Sequence, residues 1–108
     1  MLDFYHQGKI SLEKLADKMS HKVAQLFRIE ERGFIREGYF ADLVLVDLNA
    51  PWTVSKENIL AKCGWSPFEG HTFQSQVTHT IVSGHLAYAN GQFDESKKGE
   101  RLTFSTNI

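Results

Sequence analysis

Apolar residues recur at three-and-four spacing through Leu12, Leu15, Ala16 and Met19, the pattern of one helical face, and predict a helix over 11–18. Ser11 stands where its hydroxyl caps the free amides, and Glu13 is well placed in the first turn. A second apolar set, Val23, Ala24, Leu26 and Phe27, restarts after Ser20. The reading is a helix pair or one helix bent near Met19-Ser20, ending around Arg28.

From Gly33 the period shortens. The run Ala41-Asp42-Leu43-Val44-Leu45-Val46-Asp47 is β-rich and uncharged between its aspartates, which predicts a strand buried on both faces. Trp52-Thr53-Val54 follows as a short extended piece, and Ser55 is positioned to cap a helical turn or two over 56–61. The segment 62–70 mixes glycines and a proline with Trp65 and Phe68, which suits an ordered surface loop docked by its rings. Gln76 to Val82 and His85 to Tyr88 form a hairpin about Ser83-Gly84, with a second turn at Asn90-Gly91. Beyond a charged stretch, 101–104 is expected to add a last strand before a mobile tail.

Composition changes this picture little. In 108 residues, 42% are apolar and 23% charged, which fits one small core that buries only roughly two-thirds of its unfolded surface. The formal charge is −1 with signs interspersed, so no field points to nucleic acid or an anionic membrane. The lone Cys63 forms no internal disulfide, the first residues lack a secretory signal, and no apolar run reaches the roughly 20 residues of a membrane span. A cytoplasmic location is the expectation.

Helices followed by a glycine-bounded turn, a buried strand and a hairpin make an odd independent domain. The order makes sense as part of a larger fold. The pieces Ser20 to Phe27, Arg32 to Asp47, Pro51 to Val54, Trp65 to Gly70 and Val77 to Gly91 together resemble the carboxy-terminal end of cyclic-amide amidohydrolases, dihydroorotases above all. Gly38 with Ala41-Asp42-Leu43-Val44 carries the superfamily. The loop Ser66-Pro67-Phe68-Glu69-Gly70 and the hairpin Thr80-Ile81-Val82-Ser83-Gly84 narrow it to dihydroorotases, hydantoinases and allantoinases. Lys22-Val23 stands where that family has a proline-containing step, a departure that touches a helix start.

The resemblance implies an α+β fragment: terminal helices of a TIM (β/α)₈ barrel over 1–32, then over 33–108 the carboxy-terminal part of a small composite β-sandwich. That part contains a docking loop at 62–73 and a hairpin at 77–93. It further implies a zinc-dependent parent hydrolase of pyrimidine biosynthesis, interconverting carbamoyl aspartate and dihydroorotate. The family's metal ligands, a His-x-His pair, a carboxylated lysine, two further histidines and an aspartate, lie upstream of the helix at which the resemblance begins. No catalytic or metal-binding residue is therefore expected in this chain, and no bound cofactor. The expected partners are the barrel and amino-terminal sandwich segment, with self-association through exposed sheet edges. Two other readings stand beside this one: a hydantoinase or allantoinase fragment, and a stand-alone, non-catalytic β-rich interaction module.

Residue by residue the chemistry agrees. His6, His21, His71, His79 and His85 contain no His-x-His and no helical i, i+4 pair, so a zinc site from them is disfavoured. With a two-residue turn at Ser83-Gly84, Val82 faces His85 and His79 faces Tyr88. Cys63 has no neighbouring base and is read as a packing or loop thiol. Asp42 and Asp47, five apart, fall on opposite faces of a regular strand, which defeats an acid/base pair. Asp42 is expected to accept amides at the preceding turn and Asp47 to end the strand. The Leu12, Leu15 and Met19 stripe is expected to face a barrel and, without one, to be exposed.

Overall fold

The helical pattern becomes one continuous rod with a defect in it. In the computed structural model, which describes residues 1–106, α2 (Leu12–Ala16) runs through a π-helical turn (Asp17–His21) into α3 (Lys22–Phe27). The Ser11 hydroxyl accepts the Lys14 amide at 3.1 Å, as the capping position predicts. The bend expected near Met19-Ser20 is the π turn, where the Lys22 amide reaches back five residues to the Asp17 carbonyl. Arg28 closes the rod in the left-handed region, φ 56°, with the Ile29 amide bonded to the Ala24 carbonyl at 2.9 Å. A short α1 (Leu2–His6) precedes the rod; no periodic signal had marked it.

The strands are β1 (Leu43–Asp47), β2 (Trp52–Thr53), β3 (Thr72–Phe73), β4 (Gln76–Val82), β5 (His85–Ala89) and β6 (Gln92–Phe93). An antiparallel sheet has the order β1-β4-β5-β6, and β2 pairs with β3 in a separate ribbon. Both hairpin turns have positive φ at each central residue: 49° and 81° at Ser83-Gly84, 47° and 89° at Asn90-Gly91. This is the signature of the type I′ turns that match strand twist.

Several expectations are corrected. Val82 does face His85, but His79 pairs with Ala89 and Tyr88 with Thr80, because a bulge between Thr80 and Ile81 leaves Ala87 as an extra residue on β5. The run 41–47, expected to be buried on both faces, shortens to β1 at the sheet edge, with Val44 54% and Leu45 51% exposed. The helix expected over 56–61 is a single 3₁₀ turn, Lys56–Asn58. The Asn58 side chain explains the stop: it accepts the Ser55 amide at 2.9 Å and donates to the Thr53 carbonyl at 2.8 Å, tying the turn back to β2. Replacing Asn58 by alanine should remove both bonds and cost about 1 kcal/mol in urea unfolding.

Residues 101–104 form no strand of the sheet. Phe104 bridges to Ile29 at the helix exit, the Glu30 amide donates to the Thr103 carbonyl at 2.9 Å, and the Ser105 amide to the Arg28 carbonyl at 2.8 Å. The tail expected to be mobile thus begins tied down at Ser105; residues 107 and 108 lie outside the described residues.

The core is thin. Among the described residues, Ala24 and Val54 are the buried apolar side chains. The accessible surface is 8466 Å², about 2,400 Å² more than a compact monomer of this mass exposes. The radius of gyration, 15.9 Å, exceeds the roughly 13 Å of a compact chain of this length.

Candidate functional site

Two arrangements position chemistry-bearing side chains: a polar junction between rod and sheet, and an apolar groove beside the β2–β3 ribbon.

The junction begins at Gly33, φ 84°, which packs so tightly on the rod that a Cβ there would lie 2.5 Å from the Ala24 Cβ and 3.0 Å from the Ser20 carbonyl oxygen. Its own carbonyl is 2.7 Å from His21 Nδ1, and the His21 ring stacks on Phe34 at 4.4 Å. Next to it, Arg32 is buried, its guanidinium 4.0 Å from the centre of the Phe40 ring and paired with Asp42. The other Asp42 oxygen accepts the Ser83 amide at 2.8 Å, and the Gly84 amide donates to the Ala41 carbonyl at 3.0 Å. Asp42 therefore clamps the β4–β5 turn, a partner 41 residues downstream, where the sequence suggested the preceding turn. Partial burial pushes its carboxyl up, but the Ser83 amide and the Arg32 guanidinium together outweigh this and hold it below the usual carboxylate range. Asp47 ends β1 as expected, accepting the Asn49 amide at 2.9 Å.

The groove, about 480 Å³, is lined by Trp52, Val54, Leu60, Trp65, Phe68 and Phe73 among others. The turn that builds it is local: the Phe68 amide donates to Ser66 Oγ at 3.1 Å and the His71 amide to the Phe68 carbonyl at 2.8 Å. Phe68 stands edge-on to Phe73 at 5.6 Å, and Phe73 lies 5.5 Å from Trp52. Leu60 at 79% and Trp65 at 66% remain exposed. Cys63 is exposed too, its thiol donating to the Trp65 carbonyl at 3.5 Å.

Histidines fasten the amino-terminal helix rather than gather. His71 Nε2 bonds Asp3 at 2.7 Å, and His6 Nε2 meets Ser75 Oγ at 2.7 Å. Ser75 Oγ itself donates to the Leu48 carbonyl, so it accepts from His6, which fixes the proton on Nε2. The hydrogen bond from His71 is the main cause that holds the Asp3 carboxyl below the usual range. That contribution is present above the ordinary carboxylate value and is lost as pH falls through the lowered one. Protection factors of the α1 amides, with the intrinsic pH dependence of exchange divided out, should accordingly fall on acidification, and Asp3→Asn should flatten the acid limb of that profile.

His79 Nδ1 lies 2.9 Å from Thr78 Oγ1, and His85 Nε2 lies 3.1 Å from the Asp94 carbonyl. Each of the five imidazoles is thus engaged separately, and among the described residues no three His, Cys, Asp or Glu side chains come together to hold a metal ion. The described residues offer no cluster that fits the zinc that the resemblance implies. No helix among the described residues is long and apolar enough to cross a membrane.

This fold, a helical rod clamped by a Gly-and-Asp junction to a small antiparallel sheet, defines a class once it is compared with known proteins. The amidohydrolase family model matches residues 5–88, and the chain belongs to that family. It is 33% identical over 107 residues to the dihydroorotase of Pyrococcus horikoshii and 36% identical over 98 residues to the allantoinase of Desulfitobacterium hafniense. These alignments cover 99% and 91% of this chain but only 25% and 22% of those enzymes. Among solved structures, the dihydropyrimidinase of Brevibacillus agri superposes with a TM-score of 0.74 at 34% identity, over 84% of this chain and 20% of that one. The chain therefore spans about a quarter of the length of the relatives it matches.

Proposed function

We propose that this chain is the carboxy-terminal, non-catalytic portion of a dihydroorotase-type cyclic amidohydrolase. In this reading α1 to α3 are the terminal barrel helices, residues 33–108 supply part of the small β-sandwich, and metal and substrate are held by residues outside the chain. The observation that carries it is the thin core. A rod with Val23, Leu26 and Phe27 exposed and a groove with Trp65 and Leu60 exposed are surfaces shaped to be covered. The same observation weighs against a stand-alone interaction module. The residues seated against the groove would belong to the barrel, with Trp65 and Phe68 as the anchors.

Zinc in the whole enzyme would activate water for attack on the ring amide. This chain's contribution is positional: the junction fixes the sheet on the rod, and the groove fixes both on the barrel. A cytoplasmic enzyme of pyrimidine biosynthesis is the corresponding setting.

A graft tests the reading. This chain replaces the matching segment of the Pyrococcus horikoshii dihydroorotase, and the chimera is assayed for dihydroorotate hydrolysis and zinc content. Turnover with normal zinc is expected, while the isolated chain shows neither. In the chimera, Trp65→Ser with Phe68→Ser should lower thermal stability by several degrees and leave KM near its starting value, since these rings pack and do not touch substrate. Stoichiometric zinc with turnover by the isolated chain would overturn the proposal. The allantoinase and hydantoinase likenesses favour a second reading in which the parent acts on another cyclic ureide; a parallel graft into an allantoinase that alone restores activity would select it.

A further inference from the structure

We propose that Asn90-Gly91 is a self-modification site, where the Gly91 amide nitrogen attacks the Asn90 side chain and, with water as the sole co-reactant, converts it into isoaspartate and aspartate. This goes beyond the function proposed above and does not depend on it, because both reacting groups belong to this chain.

The reaction needs a carboxamide carbon free to be attacked and a backbone nitrogen free to attack it. Asn90 is exposed at the tip of the β5–β6 hairpin. Among the described residues its side chain has no hydrogen-bond partner, and the Gly91 amide donates to no acceptor. Gly91 also carries no Cβ to crowd the approach. Asn49 and Asn58 lack this combination. The Asn58 carboxamide is held at both ends, by the Ser55 amide and the Thr53 carbonyl, and β-branched Ile59 follows it. Asn49 precedes Ala50, whose amide is committed to the Gln74 carbonyl at 3.1 Å.

Ring closure also requires Asn90 to leave the left-handed angle, φ 47°, that it holds in the turn. The hairpin end opposes this weakly. β6 is two residues long, lies at the end of the sheet and is exposed at both Gln92 and Phe93, so it opens locally before the sheet does.

In the first step a bond forms from Gly91 N to Asn90 Cγ, the Gly91 proton is lost, the Cγ–Nδ2 bond breaks and Nδ2 leaves as ammonia. Water then opens the five-membered imide at either carbonyl. Opening at Cγ gives aspartate. Opening at the main-chain carbonyl gives isoaspartate, whose backbone runs through Cβ and Cγ and is one carbon longer. A two-residue turn cannot keep its register with that insertion, so Phe93 should lose its ring contact with Tyr88, 4.9 Å between centres.

The intact chain is incubated in neutral buffer made with heavy-oxygen water, then digested and mapped by mass spectrometry. Heavy oxygen is expected to enter position 90 roughly tenfold faster than position 49 or 58, with isoaspartate among the products. Gly91→Ala places a Cβ in open space, with nothing within 4 Å, yet crowds the attacking nitrogen and should slow uptake. Asn90→Gln keeps a carboxamide but would need a six-membered ring, and should all but abolish it. Equal rates at the three asparagines would overturn the proposal, and so would aspartate formed at position 90 without isoaspartate, which marks direct hydrolysis by water.

Discussion

Gly33→Ala should be the most damaging single substitution in the rod and its junction, costing about 3 kcal/mol. Two costs combine: a left-handed backbone angle that L-residues adopt at about 1–2 kcal/mol, and overpacking worth a further 1–3 kcal/mol. The added methyl would meet the Ala24 Cβ at 2.5 Å and the Ser20 carbonyl oxygen at 3.0 Å, and neither is the end of a flexible side chain. Ala24 is one of the few buried apolar residues, so the clash falls on the thin core itself. Gly38→Ala supplies the contrast. Gly38 has the same φ, 84°, but open space around it, so only the backbone cost of about 1 kcal/mol remains. Urea unfolding followed by far-ultraviolet circular dichroism should separate the two. Equal losses would mean that the close approach to Ala24 carries no energy.

Asp42→Ala is expected to rank second, at about 2 kcal/mol. It leaves the buried Arg32 guanidinium without its carboxylate and the Ser83 amide without its acceptor. Breaking a fully buried pair costs about 3–5 kcal/mol, and the partial exposure of Asp42 reduces that figure. Asp42→Asn should recover the part owed to the Ser83 amide, because a side-chain carbonyl still accepts there. The pH dependence has a definite sign. The folded carboxyl is held below its ordinary value, so its stabilisation is fully present above that value and is lost as pH falls through the folded one. Wild-type stability should therefore decline on acidification, and the Asp42→Asn chain should lack that share of the decline. Unchanged acid limbs in the two chains would remove Asp42 from the account.

These two residues also show how far the sequence could be read. Gly33 and Asp42 stand in segments that carry the family resemblance, yet their partners were not legible. Gly33 meets the rod at Ser20, inside the π turn, and at Ala24, nine to thirteen residues back, and Asp42 reaches a turn 41 residues away. The Ser11 cap, the two type I′ turns and the Asp47 strand end were legible because each is settled within four residues. The 3₁₀ turn at Lys56–Asn58 was overestimated because a good cap says where a helix starts, and the Asn58 side chain, bonded to β2, decides where it stops. The His79 register failed by one residue, since a bulge at Ala87 leaves no mark on an alternating pattern.

The candidate site divides the same way. The aromatic loop around Trp65 and Phe68 was visible in composition, whereas the ring cluster with Trp52 and Phe73 depends on β2 pairing with β3. The histidines that fasten α1 gave no signal, because His6 meets Ser75 and His71 meets Asp3 across 69 and 68 residues.

By itself, then, the sequence determined what short-range physics determines: helix period, caps, hairpin turns, and a run of β-branched and leucine residues that prefers a sheet. Its motifs also carried the family. Only the tertiary structure decided that this run sits on an open edge, that Asp42 joins rod to hairpin, and that buried apolar area is scarce. The physical reason is that burial is a property of what lies opposite a residue. In Leu43–Asp47 the chain encodes a strand suited to two covered faces, and the fold of the described residues leaves Val44 and Leu45 exposed.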